Sequence, residues 1–267
     1  MCPVERFNPH KTSALKFKRE RERDGRSGRS VAIREVTLSE ARSDALEFGL
    51  ATDIFMQLKS GKEASLYIAS WRGHPIVLKA YRFWHTSHAS KKRGWFAPAR
   101  MEALAAKEYD MLMAAFRAGM PVPTPIGRVA NYLTMRFIGD GLVPAPRLKD
   151  MVIEKPESVF EQIVDDYLTM YSVAHYVHGD LSPYNLLWWR GKAWFIDMPQ
   201  AYAVDTWCNM KRVIFLLERD IRNIVAYFEK YGLIANVEEI VDRFLGCYVP
   251  ENQMRAVHLY WSKRSRP

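Results

Sequence analysis

Two aspartates and an asparagine in one short stretch, YVHGDLSPYNLLWWRGKAWFID from Tyr176 to Asp197, have the types and spacing of a phosphoryl-transfer centre. Asp180 precedes Asn185 by five residues and Asp197 by seventeen. A hydroxyl nucleophile needs a carboxylate to accept its proton, and the metal on a triphosphate needs oxygen ligands from a second carboxylate and an amide. Asp180 is the candidate base, and Asn185 and Asp197 are the candidate metal ligands. The apolar runs Leu186 to Trp189 and Ala193 to Ile196 flank Arg190-Gly191-Lys192, a pattern that predicts a hairpin. Such a hairpin brings Asn185 and Asp197 together. Singly, Asp180 and Asn185 also read as turn residues and Asp197 as a strand end, so their combination with partners upstream carries the signal.

Those partners need elements to hold them. A helix is predicted from about Ser39 to Phe55, capped by Ser39 or Thr37. Next, LKSGKEASLY from Leu58 to Tyr67 reads as a small-residue turn between apolar segments. Ser60, Gly61 and Lys62 there could cover phosphates with backbone N–H groups, a hydroxyl and a charge, although an ordinary hairpin turn fits the same residues. It is not a Walker loop, because Met56 stands where the first glycine belongs and Glu63 follows Lys62.

The alternation of Ile76 to Tyr81 places Lys79 mid-strand, facing either phosphates or a carboxylate, or standing on a wet edge. A helix is predicted from about Arg100 to Ala118, stopped by Gly119, Pro121 and Pro123. Glu108 falls on its apolar stripe between Leu104 and Leu112 and should face inward, with Lys79 as the nearest candidate cation. Between these elements, Arg82 to Ala99 reads as a mobile connection. His85 and His88 stand in it at HxxH spacing, but without a third ligand type they make a weak metal site. Thr124 to Val129 and Tyr132 to Phe137 predict a hairpin turning at Ala130-Asn131. The exit from it would offer backbone groups of Arg136, Phe137 and Ile138 to adenine, with Met135 behind. Helices are predicted over Val159 to Ala174 and from about Trp207 to His258, with breaks at Gly232 and near Pro250.

Composition narrows the class. With 267 residues, 48% hydrophobic and 13% aromatic, the chain can build a core of α+β type. No apolar run reaches the roughly twenty residues of a membrane span, and the charged N-terminus lacks a signal-peptide core, so the expectation is a cytoplasmic protein with no membrane partner. Cys2, Cys208 and Cys247 form no zinc-type pair. Of the net charge of +9, a net +5 lies in Lys11 to Arg29, from eight basic and three acidic residues. With few apolar residues, this stretch reads as an unstructured basic tail. Lys91-Lys92-Arg93 and the terminal Lys263, Arg264 and Arg266 add to it, and the sum suggests either an anionic partner such as RNA or a solubilising surface. The expected division is a basic tail over 1–38, an N-lobe over 39–138, a C-lobe over 139–260 and a basic tail over 261–267.

LKSGKEASLY, LAAKEY, MRFIGDGLVPAPRLK, VHGDLSPYNLL and FIDMPQAY occur in the order of the nucleotide loop, helix glutamate, hinge, catalytic loop and metal loop of the RIO family of atypical protein kinases, which they resemble. The resemblance covers most of Leu58 to about Phe228. It implies a bilobal protein-kinase-like fold without the activation loop and peptide-binding helices of ordinary kinases, in keeping with the missing Ala-Pro-Glu segment after Asp197. It implies ATP with Mg2+, or Mn2+, as cofactors. Lys79 and Glu108 would be the phosphate-orienting pair, Asp180 the catalytic base, and Asn185 and Asp197 the metal ligands. Ser182 would lie beside the phosphates, and Asp197 is also the candidate acceptor of an aspartyl-phosphate.

The hinge, the SGKEA loop and the roughly 57 residues before that loop point to the subgroup without a winged helix, whereas HGD and MPQ lean to the subgroup that has one. The resemblance further implies serine/threonine kinase or ATPase action in small-ribosomal-subunit maturation, with the subunit precursor and its RNA as partners and the protein substrate unknown. Two alternatives stand beside it. One is a small-molecule phosphotransferase, since HGDLSPYN is similar to the loop of aminoglycoside and choline kinases. The other is a nucleotide-sensing, RNA-binding assembly factor.

Overall fold

The computed structural model describes residues 18–20, 31–34, 36–61, 64–86 and 98–264. In chain order they form β1 (Lys18–Glu20), β2 (Val31–Arg34), α1 (Leu38–Glu47), β3 (Asp53–Ser60), β4 (Ala64–Trp71), β5 (His74–Tyr81), β6 (Phe83–Thr86), α2 (Pro98–Arg117), β7 (Pro125–Val129) and β8 (Tyr132–Arg136). After them come β9 (Gly139–Asp140), β10 (Val143–Pro144), α3 (Pro156–Ser172), β11 (Tyr176–Val177), β12 (Leu186–Trp189), β13 (Lys192–Phe195), β14 (Tyr202–Ala203), α4 (Met210–Glu229), α5 (Val237–Cys247) and α6 (Met254–Arg264). The fold is α+β. It divides into two compact units, residues 1–106 with 127–134, and 107–126 with 135–267.

The first unit is built on a five-stranded sheet of order β3-β4-β5-β8-β7. Ala41 and Ala45 of α1, both fully buried, pack with Tyr67, Ala69, Leu78 and Ala80 of the sheet. Thr37 starts α1 with a capping box: its hydroxyl accepts from Glu40 N–H, and the Glu40 carboxylate accepts from Thr37 N–H at 2.9 Å. The helix ends sooner than the sequence pattern suggests. Gly49 takes φ +65°, Leu50 N–H bonds Ala45 C=O at 2.8 Å and Gly49 N–H bonds Leu46 C=O, a Schellman stop that turns the chain into β3. Residues 53–55, expected in the helix, are therefore strand.

Two further expectations change. Arg82 is buried, and Phe83–Thr86 forms a strand paired to β2, so the mobile connection does not begin at Arg82. Within the stretch read as a tail, Lys18–Glu20 and Val31–Arg34 are paired strands, the latter containing the β-branched Val31 and Ile33. Residues 1–17, 21–30 and 35, residues 87–97 with their basic cluster and His88, and residues 265–267 lie outside the described residues.

The second unit is mainly helical. Its core joins α3, α4 and α5 through aromatic contacts: Phe160 with Phe228 and Tyr167 with Phe244, each 5.4 Å between ring centroids. The expected breaks at Gly232 and near Pro250 are observed as the ends of α4 and α5. The predicted hairpin is β12–β13, registered Leu186 to Phe195 and Trp189 to Lys192. Arg190 and Gly191 both have positive φ, the backbone of the primed turn that matches strand twist. No helix among the described residues is long and apolar enough to cross a membrane.

Candidate active site

The loop after β11 is held from below by α4. Asp220 is a fully buried carboxylate on that helix. It accepts the backbone N–H of Gly179 at 2.7 Å, the N–H of Leu181 at 3.1 Å and the Tyr167 hydroxyl at 2.7 Å. Tyr167 in turn accepts the N–H of His178 at 3.2 Å. Asn223 donates to Leu181 C=O at 3.1 Å, and the Arg219 guanidinium donates to Gly179 C=O. Burial pushes the Asp220 carboxyl up from its ordinary range, and His178, Tyr167 and the two amides oppose that rise. The residues on either side of Asp180 are thus fixed by backbone bonds, while Asp180 itself is exposed.

Asn185 completes this loop. Its Nδ2 donates to Asp180 C=O at 2.8 Å and to Asp180 Oδ2 at 3.2 Å. With the amide nitrogen committed to Asp180, Oδ1 is the atom left to face a cation. Ile196 N–H bonds Asn185 C=O at 3.0 Å, so Asp197 stands one residue beyond the partner of Asn185 across the hairpin. Asp197 is exposed and adopts φ +63°, a left-handed conformation that aspartate tolerates better than most residues. His178 is fully buried, and its Nε2 lies 3.2 Å from Ile196 C=O. Because that partner is a carbonyl, Nε2 carries the proton; burial lowers the ring's pKa and favours the neutral form.

Gly179 is required twice over. It has φ +74°, and a Cβ there would lie 2.5 Å from Gln200 C=O. The HGD glycine and the MPQ segment are therefore in close contact. A carboxylate oxygen of Asp197 and the Asn185 amide oxygen are hard donors, the type that suits a small divalent cation.

A family model described as RIO domain matches residues 66–240. The chain belongs to the RIO family. Among relatives of this RIO chain, the RIO-type serine/threonine-protein kinase Rio1 of Thermoplasma acidophilum is 41% identical over 134 residues, covering 50% of this chain and 68% of that protein. The serine/threonine-protein kinase RIO3 of Homo sapiens is 36% identical over 131 residues, covering 48% of this chain and 24% of that protein. Of solved structures, the Rio2 kinase–ADP/Mg2+–phosphoaspartate complex from Chaetomium thermophilum matches with a TM-score of 0.59 at 20% identity, covering 76% of this chain and 65% of the other. That likeness gives the fold, which is protein-kinase-like. Membership in the RIO family places the chain among ATP-dependent phosphotransferases, with ATP and a divalent metal as the implied cofactors.

The other site candidates of this RIO chain lie as follows. In the first unit, Lys79 is buried on β5 with Nζ 5.2 Å from the Tyr81 ring centroid; Ser60 ends β3, and Gly61 follows it into the turn toward β4. Lys62 lies outside the described residues. In the second unit, Glu108 is 1% exposed, as its place on the α2 stripe predicts. Met135, Phe137 and Ile138 are buried. Arg136 N–H is committed to Thr124 C=O and Ile138 C=O to Ala145 N–H, so Arg136 C=O and Ile138 N–H stand outside these two bonds. Ser182 is half-buried and accepts Asn185 N–H at 2.9 Å through its C=O.

The sequence reading missed Asp220, Tyr167 and Asn223. Asp220 carried a signal, because it stands at helical spacing from Leu216, Leu217 and Ile224 on a buried stripe, as Glu108 does on α2.

Proposed function

We propose that this RIO-family chain transfers the γ-phosphoryl group of ATP, with Asp180 accepting the proton of the attacking hydroxyl. The observation that carries the reading is Asp180 itself, exposed between two clamped amides with Asn185 bonded to its carboxylate. Asn185 Oδ1 and the Asp197 carboxylate would hold Mg2+, with Mn2+ as a substitute; when bound, the ion neutralises phosphate charge. Lys79 and Glu108 take the role of the pair that orients the phosphates. Ser60, Gly61 and Lys62 cover them, Ser182 lies beside them, and Met135, Phe137 and Ile138 receive the adenine.

Serine or threonine hydroxyls are the acceptors that fit this base. A second outcome, ATP hydrolysis through Asp197, is favoured by the exposed carboxylate of that residue and by the phosphoaspartate in the Rio2 complex. In that second outcome a carboxylate oxygen of this chain's Asp197 takes the γ-phosphoryl, ADP leaves, and water then releases phosphate. The basic segments support a cytoplasmic role on the small-ribosomal-subunit precursor and its RNA, and the SGKEA loop supports the subgroup without a winged helix.

The test is incubation with magnesium and γ-labelled ATP, with and without subunit precursors. Acid-stable label on the protein that hydroxylamine removes and Asp197→Asn abolishes supports the aspartyl-phosphate. Stable serine label supports a protein kinase. No turnover under any condition rejects both in favour of a nucleotide-sensing assembly factor.

A further inference from the structure

Arg82 stands one residue past the end of β5 and is 1% exposed, an unusual depth for a guanidinium. Its Nη2 donates to Ser60 Oγ on β3 and to Ser65 Oγ on β4, the latter at 3.2 Å. Those two serines face each other across the hairpin, Ser60 paired to Ser65, immediately outside the turn closed by Gly61 N–H to Ala64 C=O at 3.0 Å. One side chain therefore joins the ends of three successive strands at the mouth of the nucleotide loop.

The strand it reaches needs such a tie. Among the described residues β3 is an edge strand, and its pairing with β4 is interrupted between Ile54 and Met56 and again between Gln57 and Lys59. Each such irregularity leaves a residue unpaired and locally disrupts the ladder, so fewer backbone bonds hold the end of β3 to the sheet than in a regular pair. The root of Arg82 is rigid: Tyr81 N–H bonds Asn131 C=O at 3.0 Å, and Asn131 Nδ2 bonds Tyr81 C=O at 2.8 Å.

We propose that Arg82 is the positioning residue of the nucleotide loop, tying Ser60 to Ser65 so that the turn presents its backbone to the phosphates in one register. This rests on the reading of residues 58–67 as the loop that covers a nucleoside triphosphate. Nη2 spends its two N–H groups on the two hydroxyls, and the planar guanidinium holds that pair of bonds in a fixed geometry, whereas a lysine ammonium ends a flexible stem of different length and would meet both hydroxyls less well.

The test compares the parent with Arg82→Lys and Ser65→Ala. Amide exchange over residues 58–66 is followed without nucleotide, and kcat and KM for ATP are measured with magnesium. Arg82→Lys is expected to speed exchange in that segment and to raise KM for ATP about tenfold, as loss of a charge-assisted bond predicts. Its kcat is expected to stay within about threefold of the parent, since the base and metal ligands are untouched. Ser65→Ala shifts both readouts the same way by less, and it carries the test should Arg82→Lys fail to fold.

Exchange and KM both matching the parent overturn the proposal. Faster exchange with an unchanged KM leaves a merely structural tie and also overturns it. A parent that neither binds nor turns over ATP, while exchange still rises in the variants, places the failure in the nucleotide reading; the positioning role falls with it.

Discussion

Leu181 gives its backbone N–H to the buried carboxylate of Asp220 at 3.1 Å, across thirty-nine residues of chain. The same carboxylate takes Gly179 N–H at 2.7 Å, so Asp180 is suspended between two bonds to one helix. Removing Asp220 leaves those two amides and the Tyr167 hydroxyl without their acceptor. Asp220→Ala is expected to cost about 3 kcal/mol of stability and to lower kcat more than tenfold. Tyr167→Phe, which removes one neutral donor, should cost about 1 kcal/mol. Denaturant unfolding and steady-state assays check both. An Asp220→Ala protein with parental stability would remove this residue from the support of the loop.

Asp180→Asn keeps the size of the side chain and its neighbours but removes the proposed proton acceptor. A loss of about 10²–10⁴ in kcat with KM for ATP nearly unchanged is expected, the span general-base removal gives. Turnover at the parental rate would exclude Asp180 as the base.

Asp197→Asn should retain the left-handed backbone, since asparagine tolerates φ near +63° as aspartate does. It removes one of the proposed metal ligands, so the magnesium concentration for half-maximal activity should rise about tenfold or more, and chelation of the metal should abolish activity in both proteins. Titration of activity against magnesium reads this out, and an unchanged midpoint would move the metal elsewhere.

Gly179→Ala meets two obstacles, the positive φ and the Gln200 carbonyl 2.5 Å from the new Cβ. We expect a loss of about 1–3 kcal/mol together with lower kcat, because relief requires the catalytic and metal loops to separate. Thermal melts paired with kinetics test this, and an alanine variant with parental values in both would show that the loops yield freely.

Burial, reinforced by Asp165 and opposed by Lys192, pushes the Asp166 carboxyl up to about 6. Its folded-state pKa is then above its unfolded value of 3.8, so its favourable contribution is complete below pH 4 and is lost as pH rises through 6. Asp166→Asn should raise Tm at pH 7.5, with the gain fading at pH 4. Equal Tm differences at the two pH values would contradict the shift.

The loop and hairpin of the candidate site were legible in the chain because local patterns carry them. Asp180, Asn185 and Asp197 sit in a loop and a hairpin whose turn residues, Arg190 and Gly191, announce themselves, and the inward place of Glu108 follows from helical spacing. The Schellman stop at Gly49 was harder to place, since helix ends depend on which terminal carbonyls find partners. Asp220 could be placed on a stripe but not assigned a task, because its donors lie about forty residues upstream and only packing of α4 against the loop brings them within 3.1 Å. Arg82 was invisible as a tie for the same reason: its hydroxyl partners are seventeen and twenty-two residues away, on strands whose register no local pattern reveals. Residue types and short spacings thus determine what reaction the chain can attempt, and the sheet register and helix packing decide which side chains hold the reacting groups still.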